Sequence, residues 1–482
     1  MNYPLVIKVL GYTLWVEAGC MVLPLLVAVY YQEPCWESFL YAAGLCAAAG
    51  IACSRVPARK RELQGRDGYI SAALVWVVLC VFGAAPYKFS GAIPRYLDAL
   101  FEAASGLTTT GATLLTNVEA LPRGILFWRS LTQWMGGMGV LVLFLALLPR
   151  SSGAGAVYLM RAELPGPIKN KLVPRVSDTA KLLYTMYIGL TVLETAALRL
   201  AGMSWFDAVN HAFSTISTGG FSVRNASIAA YHSPLISWIA AIFMFLSGVN
   251  FSILFVAVRG RVRDMLRSEE LRLYAAMTVL GTTLICTNLV IQGKLLFRDA
   301  LVDAAFETVS FMTTAGYATT DYTAWPVFSQ MILVILMFTG ACAGSTSGGM
   351  KLSRVLLLGK SLRRELQKIL HPNHVSVIRV DGRQVEERVV ASAGAYLVAY
   401  LLLLLVGAAV VAWGQNDFAE AFTISLACLS NIGPAMGSIG PVGDFSSLTE
   451  VSKLMMILWM LLGRLELMPI LVMLSPGTWK ER

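Results

Sequence analysis

The sequence is poor in charged residues and lacks the short motifs by which many enzymes are recognised. Only 14% of its 482 residues are Asp, Glu, Lys or Arg. It contains no GxGxxG, P-loop or HExxH motif and no evident pairing of a nucleophile with a base. The eight cysteines show no CxxC spacing, and the "HPNH" stretch with His371 and His374 is a weak metal motif. We therefore expect no enzymatic activity, no disulfide framework and no bound cofactor.

What the chain has in abundance is apolar residues, which make up 56% of it and give a mean hydropathy of +0.65. Stretches of this kind are long enough to cross a bilayer as helices. The first stretch carries Glu17 and no small-residue cleavage site, so we expect a retained helix rather than a signal peptide. The ten predicted spans are 5–30, 38–54, 69–86, 124–148, 180–200, 235–258, 272–291, 326–358, 389–413 and 451–475.

The basic residues predict how these spans are oriented. With both termini inside, the cytoplasmic segments are the two ends, 54–68, 149–181, 259–272 and 351–388. Together with Lys8, near the start of the first span, they hold 28 of the 38 Lys and Arg residues. Lys and Arg collect in cytoplasmic loops. The net charge of +9 then reflects this topology and anionic membrane lipid, and we expect no binding to nucleic acid.

A degenerate repeat recurs four times between the spans. Its fixed points are Gly111, Gly220, Gly316 and Gly433. Thirteen positions earlier stand Asp98, Asp207, Asp303 and Glu420, each followed by alanine. Six positions before the glycines stand Ser105, Ser214, Ser310 and the exception Ala427; two positions before them stand Thr109, Thr218, Thr314 and Asn431. Agreement at all these columns indicates four copies of one unit.

Each unit is predicted to be a spanning helix, a short helix of about ten residues, a Thr-x-Gly turn and a second spanning helix. Ten helical residues cover roughly 15 Å, half of a bilayer core, so the chain must enter the membrane and return. Irregular backbone at that depth must be buried in protein or line water. Glycine lets carbonyl groups point inward, so four turns around one axis can offer oxygen ligands to a dehydrated cation. Close helix packing by small residues is the alternative explanation.

With these repeats, the chain resembles the Trk/Ktr/HKT superfamily of cation transporters, most closely its TrkH/TrkG-type bacterial potassium-uptake subunits. The resemblance covers nearly the whole length and rests on "SGLTTTGAT", "STISTGGFS", "MTTAGYAT" and "LSNIGPAMG", with "TGACAGSTSGGMK" and "LLGRLE" as further matches. It implies an all-α polytopic membrane protein of the bacterial inner membrane, with four helix–pore-helix–helix units in a pseudo-four-fold arrangement and two extra N-terminal helices. The corresponding segments are 1–56 for the extra helices and 57–150, 151–262, 263–370 and 371–482 for the units.

The resemblance also implies what is transported and what assembles with the chain. It implies potassium as the ion, a homodimer with one pore in each subunit, and a cytosolic TrkA-like nucleotide-binding regulatory protein. The potassium-binding filter would be Thr109, Thr110, Gly111, Thr218, Gly219, Gly220, Thr314, Ala315, Gly316, Asn431, Ile432 and Gly433. Each turn is shorter than the TVGYG run of potassium channels, so we expect looser selectivity. Asn431 and Pro434 make the fourth turn the least regular.

Two features below the turns are candidates for control of the pore. Four glycines within 340–349 should break the predicted span, and we expect a movable loop across the pore, with Lys351 at its cytoplasmic edge. The loop residues are Gly340, Gly344, Ser345, Thr346, Ser347, Gly348, Gly349 and Lys351. Helix packing through glycines at four-residue spacing is the alternative. Arg464, well inside the last predicted span, is either a positive barrier in the pore or a partner of Glu466 or of a polar group in another unit.

Other charged groups leave the coupling question open. Arg129 sits near a helix end and could snorkel to the surface. Intramembrane acids that could couple a second ion are Glu17, Glu194, Glu102 and Glu307. The basic and apolar segment 351–388 could lie on lipid or dock a soluble partner. The leading hypothesis is channel-like potassium uptake; the alternatives are a potassium symporter driven by protons or sodium, and a membrane scaffold or sensor with vestigial pore segments.

Overall fold

The computed structural model describes residues 2–57, 65–139, 176–372, 377–415 and 417–478. Within these ranges the chain is almost entirely helical, and its one two-stranded antiparallel sheet joins Arg379–Val380 to Arg383–Gln384. The first two helices, Tyr3–Tyr30 and Trp36–Ser54, pack against each other as an N-terminal hairpin. The all-helical fold expected from the apolar runs is therefore confirmed.

Four helical units follow the hairpin, as the repeat predicts. Each begins with a leading helix, and these are Gly65–Gly83, Val176–Leu200, Glu269–Ile291 and Glu387–Ala412. Each continues with a short helix, and these are Tyr96–Leu107, Trp205–Ile216, Phe297–Met312 and Phe418–Leu429. Each then has a trailing helix, and these are Arg123–Gly137, Pro234–Ser247, Val327–Thr339 and Glu450–Arg464.

The short helices are longer than the sequence predicts. The short helices of the first, second and fourth units have 12 residues, and that of the third unit has 16. Even so, 12 residues cover only about 18 Å, well short of the roughly 30 Å core of a bilayer. Their beginnings are capped where the sequence offers a cap: the side chain of Ser204 accepts from the Asp207 N–H, and that of Asp417 accepts from the Ala419 N–H.

The trailing helices do not run through as single spans, which corrects four of the ten predicted ones. Their helical segments end at Gly137, Ser247, Thr339 and Arg464, and residues 140–148 lie outside the described part. The second trailing helix resumes as Phe251–Val258 after a bend of 103°. The third resumes as Leu352–Leu370, and the fourth resumes as Met468–Leu474. In the described residues, five helices are long and apolar enough to span a membrane, or six if the bent pair is one span.

Many hydroxyl groups lie in the interior beside a largely apolar core, and many large aliphatic side chains lie on the surface. Hydroxyl-bearing residues such as Thr108, Ser214 and Thr313 are fully buried, whereas large aliphatic residues such as Val279 and Leu402 are exposed on the leading helices. Helices satisfy their own backbone groups, so this apolar surface suits a lipid environment. The remaining described helices are Ala85–Phe89 and Val262–Leu266, with short 3-10 turns at Val118–Ala120, Ser227–Tyr231, Tyr322–Ala324, Gly437–Ile439 and Pro476–Thr478.

Candidate functional site

The four Thr-x-Gly turns form a closed ring. A Cβ atom added to the last glycine of each turn would collide with the middle carbonyl oxygen of the next turn. The colliding pairs are Gly111 with Gly219, Gly220 with Ala315, Gly316 with Ile432, and Gly433 with Thr110. The contacts run from the first unit to the second, third and fourth and back to the first. The tertiary fold thus brings together segments more than 300 residues apart.

All four turns have the same backbone conformation. The residue two positions before each glycine is left-handed, with φ of 55° at Thr109, 54° at Thr218, 60° at Thr314 and 55° at Asn431. The glycines themselves have φ between 73° at Gly316 and 97° at Gly433. A β-branched residue seldom adopts positive φ, and three threonines do so here. Such strained positions persist only where the surrounding structure holds them, and they cluster at functional sites.

A helix-terminating hydrogen bond explains this conformation. In every turn the middle N–H donates to the carbonyl six positions before the glycine, at 2.8–2.9 Å. These bonds join Thr110 to Ser105, Gly219 to Ser214, Ala315 to Ser310, and Ile432 to Ala427. This is the Schellman pattern, with threonine or asparagine where glycine is usual. Because the acceptor is a backbone carbonyl, the serine column tolerates Ala427 in the fourth unit.

Each short helix therefore ends at the ring, with its carboxyl end towards the turn. The aligned peptide dipoles place partial negative charge there, which favours a cation. The acids near the beginnings of the short helices lie at the opposite end and make their own contacts. Asp98 accepts from Lys453 at 2.9 Å, Asp207 pairs with Arg224 at 3.2 Å, and Asp303 accepts from the Thr319 hydroxyl at 3.0 Å.

In three units, the residue nine positions before the glycine is polar. Its side chain forms hydrogen bonds with the residues that follow the turn. Glu102 accepts from the Thr113 hydroxyl at 3.0 Å and the Leu114 N–H at 3.2 Å. His211 Nε2 lies 3.0 Å from the Ser222 hydroxyl, and Glu307 accepts from the Thr319 N–H at 2.9 Å. In the fourth unit this position is Ile424. The common spacing of nine residues is visible in the sequence, but there Glu102 and Glu307 stand out only as acids that could couple a second ion.

Arg129 does not snorkel to the surface. Its side chain is only 2% exposed, and its Nε donates to Glu102 at 2.8 Å. The guanidinium also donates to the Ser222 carbonyl at 3.2 Å and lies 4.1 Å from the centre of the Phe221 ring. Arg129 therefore ties the exit of the first turn to that of the second through a buried ion pair.

A layer of polar groups lies against one side of the ring and contacts the threonine of each Thr-x-Gly turn. Arg464 Nη1 donates to the Thr109 hydroxyl at 3.1 Å, the Thr218 and Thr346 hydroxyls lie 3.3 Å apart, and the Gly348 N–H donates to the Thr314 hydroxyl at 2.7 Å. In the fourth turn, Gly348 packs so tightly that a Cβ there would collide with the Ser430 carbonyl. The segment 340–351 and Arg464 together thus close over one side of the ring.

Arg464 is the last residue of its helix and not an interior one, which corrects the sequence prediction. Its Nη1 also donates to the Thr346 carbonyl at 2.7 Å, and its Nη2 donates to the Gly136 and Gly137 carbonyls. Glu466 accepts from Arg354. The polar groups that Arg464 contacts in the first unit match the alternative of a partner in another unit. Arg464 therefore links the first trailing helix to the segment 340–351.

The segment 340–351 is a folded loop and not a glycine-lined helix face. Gly340, Gly344 and Gly349 have φ of 63°, 71° and 74°. The break in the second trailing helix receives it: the Phe251 N–H donates to the Gly344 carbonyl, and the Cys342 N–H donates to the Gly248 carbonyl, both at 3.1 Å. Helical four-residue spacing therefore does not describe how its glycines pack.

Lys351, expected at the cytoplasmic edge of the loop, is the last residue before the helix Leu352–Leu370, and its side chain is buried. It is 6% exposed, has φ of 71°, and its ammonium group donates to the Ser347 carbonyl. A cavity of about 30 Å³ beneath the loop is bordered by Lys351, Arg464 and Glu466 among others. Charged side chains therefore lie beside the segment 340–351 in the protein interior.

The ring departs from four-fold symmetry at two amides. Asn431 Nδ2 donates to the Thr110 hydroxyl at 2.9 Å and to the Met460 carbonyl at 2.8 Å. Gln133 Nε2 donates to the Gly219 carbonyl at 2.6 Å, so one middle carbonyl has a protein partner. The first departure agrees with the irregularity expected for the fourth turn.

Two further acids singled out in the sequence are buried in the interior. Glu17 is buried in the N-terminal hairpin, where the Cys46 thiol donates to it at 3.5 Å. Glu194 is buried on the second leading helix. His374 lies outside the described residues, and in the described part no group of three or more His, Cys, Asp or Glu side chains is placed to hold a metal ion.

Comparisons with known proteins agree with this architecture. Residues 41–479 match the TrkH family, described as a cation transport protein. The chain is 40% identical over 489 residues to the Trk system potassium uptake protein TrkH of Salmonella typhimurium, covering 100% of both chains. It is 33% identical over 477 residues to the Trk system potassium uptake protein TrkG of Escherichia coli K12, covering 98% of this chain and 97% of the relative.

A solved structure is also similar along its full length. The crystal structure of the potassium transporter TrkH from Vibrio parahaemolyticus superimposes with a TM-score of 0.89 at 35% sequence identity, and the match covers 100% of both chains. At this identity and coverage the likeness extends beyond the general fold to the whole arrangement of helices.

Proposed function

The chain belongs to the TrkH family of cation transport proteins, and on that premise we propose that it carries potassium into bacteria through a pore at the centre of the four turns. The observation that carries the proposal is the closed ring of Gly111, Gly220, Gly316 and Gly433, each against the carbonyl of the next turn. A dehydrated potassium ion exchanges water for oxygen ligands, and these turns supply carbonyl oxygens in a ring. Potassium is the substrate of this process.

The residues of the filter act together in this proposal. Thr110, Gly219, Ala315 and Ile432 provide the carbonyl oxygens, the glycines allow the turns to approach one another, and the short-helix ends add negative potential. Thr109, Thr218, Thr314 and Asn431 provide side-chain oxygens at the level below. With so few oxygen layers, discrimination of potassium from sodium is expected to be modest.

The segment 340–351 and Arg464 serve as the gate. Arg464 and the Gly348 N–H donate to the hydroxyls of Thr109 and Thr314. The Thr218 hydroxyl donates to Thr346, and the guanidinium adds a positive charge beneath the ring. Two like charges a few Å apart repel strongly where water is scarce, so Arg464 opposes the passage of a cation. Opening requires the loop to withdraw and release these hydroxyl groups.

The family relationship also supports proposals about assembly and topology. We expect an inner-membrane homodimer with both termini in the cytoplasm, and a cytosolic nucleotide-binding protein of the TrkA kind as its regulator. We expect that regulator to dock on the helix Leu352–Leu370, which begins where the gate loop ends. It exposes Leu362, Leu366 and Ile369 beside basic residues such as Arg363.

Potassium flux into liposomes from the purified protein tests the proposal. Uptake that follows the potassium gradient supports transport, and its absence from protein with an intact fold supports the scaffold or sensor alternative. Reversal potentials in planar bilayers then separate a channel from a symporter. A channel follows the potassium gradient alone, whereas a symporter shifts its reversal potential when the proton or sodium gradient is changed.

A further inference from the structure

We infer that a groove between the N-terminal hairpin and the second short helix binds a phospholipid with an anionic glycerol headgroup, such as phosphatidylglycerol. The groove has a volume of about 450 Å³ and is open on one side. It is bordered mainly by apolar and aromatic side chains, among them Leu26, Tyr30, Phe127, Phe206 and Val209. It is separate from the ring of turns and from the gate, so the inference does not depend on the mechanism of transport.

The groove faces lipid. One wall is the hairpin helix Tyr3–Tyr30, whose outward residues Leu23, Leu26 and Val29 are about half exposed. The other wall begins at Trp205, which is 64% exposed at the start of a short helix. Tyr and Trp side chains favour the level of the lipid headgroups. An acyl chain can therefore fill the groove while its headgroup stays near these aromatic rings.

Two arginines beside the groove provide charge that suits a phosphate. The Arg123 guanidinium lies 4.2 Å from the Tyr31 ring centre and 5.8 Å from that of Phe206, and Arg199 lies 5.6 Å from the Trp205 ring centre. Among residues 2–57, 65–139, 176–372, 377–415 and 417–478, no carboxylate lies within salt-bridge distance of either arginine. Planar guanidinium groups bind phosphate oxygens in pairs.

The nearby acid Glu33 is already engaged by backbone groups. Its two carboxylate oxygens accept from the Arg123 N–H at 2.7 Å and the Gly124 N–H at 2.9 Å. This contact fixes the hairpin to the beginning of the first trailing helix and holds the Arg123 backbone beside the groove. The Arg199 Nη1 donates to the Met203 carbonyl at 3.0 Å, so an anion would be bound by the Arg123 guanidinium and by the other N–H groups of Arg199.

A buried amide oxygen adds a preference for a headgroup that carries hydrogen-bond donors. Asn210 borders the groove, is only 1% exposed, and its Nδ2 donates to the Phe206 carbonyl at 2.7 Å. Its Oδ1 has no hydrogen-bond partner among the described residues. A buried polar atom of this kind calls for a donor. The hydroxyl groups of a glycerol headgroup can donate to it, whereas a choline headgroup has no donor.

Native mass spectrometry of the full-length, delipidated protein tests the inference. Phosphatidylglycerol and phosphatidylcholine with identical acyl chains are titrated separately, and we expect at least fivefold tighter binding of phosphatidylglycerol. The double change Arg123→Gln and Arg199→Gln should remove that preference. Leu26→Trp, which fills the groove from the exposed hairpin, should weaken the binding of both lipids.

Arg298→Gln is the matched control, because Arg298 is also an exposed arginine near the beginning of a short helix but lies in the third unit. It should leave the preference unchanged. Equal affinity of the original protein for both lipids, or an equal loss in the Arg298 variant, would overturn the inference. So would competition by inorganic phosphate alone, or a change in oligomeric state with Leu26→Trp, since that would identify a second copy of the chain as the occupant.

Discussion

Arg464 donates a hydrogen bond of 3.1 Å to the hydroxyl of Thr109, although the two residues are 355 positions apart in the chain. One closes the last trailing helix and the other is the strained residue of the first turn. The contact couples the fourth unit to the first across the centre of the molecule. It also places the positive charge of the proposed barrier directly against a hydroxyl group of the ring.

Replacing Arg464 with alanine should raise potassium flux several-fold. The change removes a positive charge beneath the ring and frees the Thr109 hydroxyl, so a cation meets less repulsion. Flux is measured in liposomes with matched amounts of inserted protein, and Arg267→Ala on the exposed segment before the third leading helix is the charge-matched control. A well-folded Arg464 variant with the original flux would contradict the barrier role, whereas a fall in yield would indicate a structural one.

Replacing Gly220 or Gly316 with serine should reduce the selectivity for potassium over sodium. At both positions φ is positive and a Cβ would press on the neighbouring carbonyl, so the ring must widen or tilt. Permeability ratios come from bi-ionic reversal potentials. Gly189→Ser on the second leading helix is the control, because a Cβ there meets nothing within 4 Å. If both ring variants keep the original ratios, the turns are not the filter.

Deleting residues 344–348 should raise basal potassium flux and weaken its dependence on a regulatory partner. The deletion removes Thr346 and Gly348, which contact the Thr218 and Thr314 hydroxyls. Thr346→Val is a milder version that removes only the hydroxyl contacts and should raise flux less. Flux is compared with and without the regulator. Unchanged or lower flux in a correctly inserted deletion variant would assign the segment to packing rather than gating.

Replacing Glu102 with glutamine should lower the free energy of unfolding by about 3–5 kcal/mol, because it leaves the buried Arg129 charge without its carboxylate. Glu450→Gln, in the exposed pair with Arg95, should cost at most about 1 kcal/mol. Thermal melting in detergent measures both. The double change at Glu102 and Arg129 should be less harmful than the sum of the two single changes. Similar melting temperatures for the Glu102 and Glu450 variants would show that the buried ion pair contributes no more to stability than the exposed one.

The sequence by itself determined the number and nature of the repeated units. Apolar stretches must leave water, and a short helix followed by Thr-x-Gly cannot span a bilayer, so four returning segments follow from chain physics. The positions of Gly111, Gly220, Gly316 and Gly433 identified the segments that meet in the ring. Each unit is defined by residues close together in the chain, so the spacing of residues in the sequence was sufficient to identify it.

Only the tertiary structure decided what lies around the ring. The trailing helices of the first and second units end at Gly137 and Ser247, where groups from other units bind the freed carbonyls. Arg464 donates to the Gly137 carbonyl, and the Thr346 hydroxyl donates to the Ser247 carbonyl. Likewise, Arg129 is buried because Glu102 lies beside it in the folded unit. Local composition cannot reveal such pairs, since their energy comes from groups that meet only after the four units close around their axis.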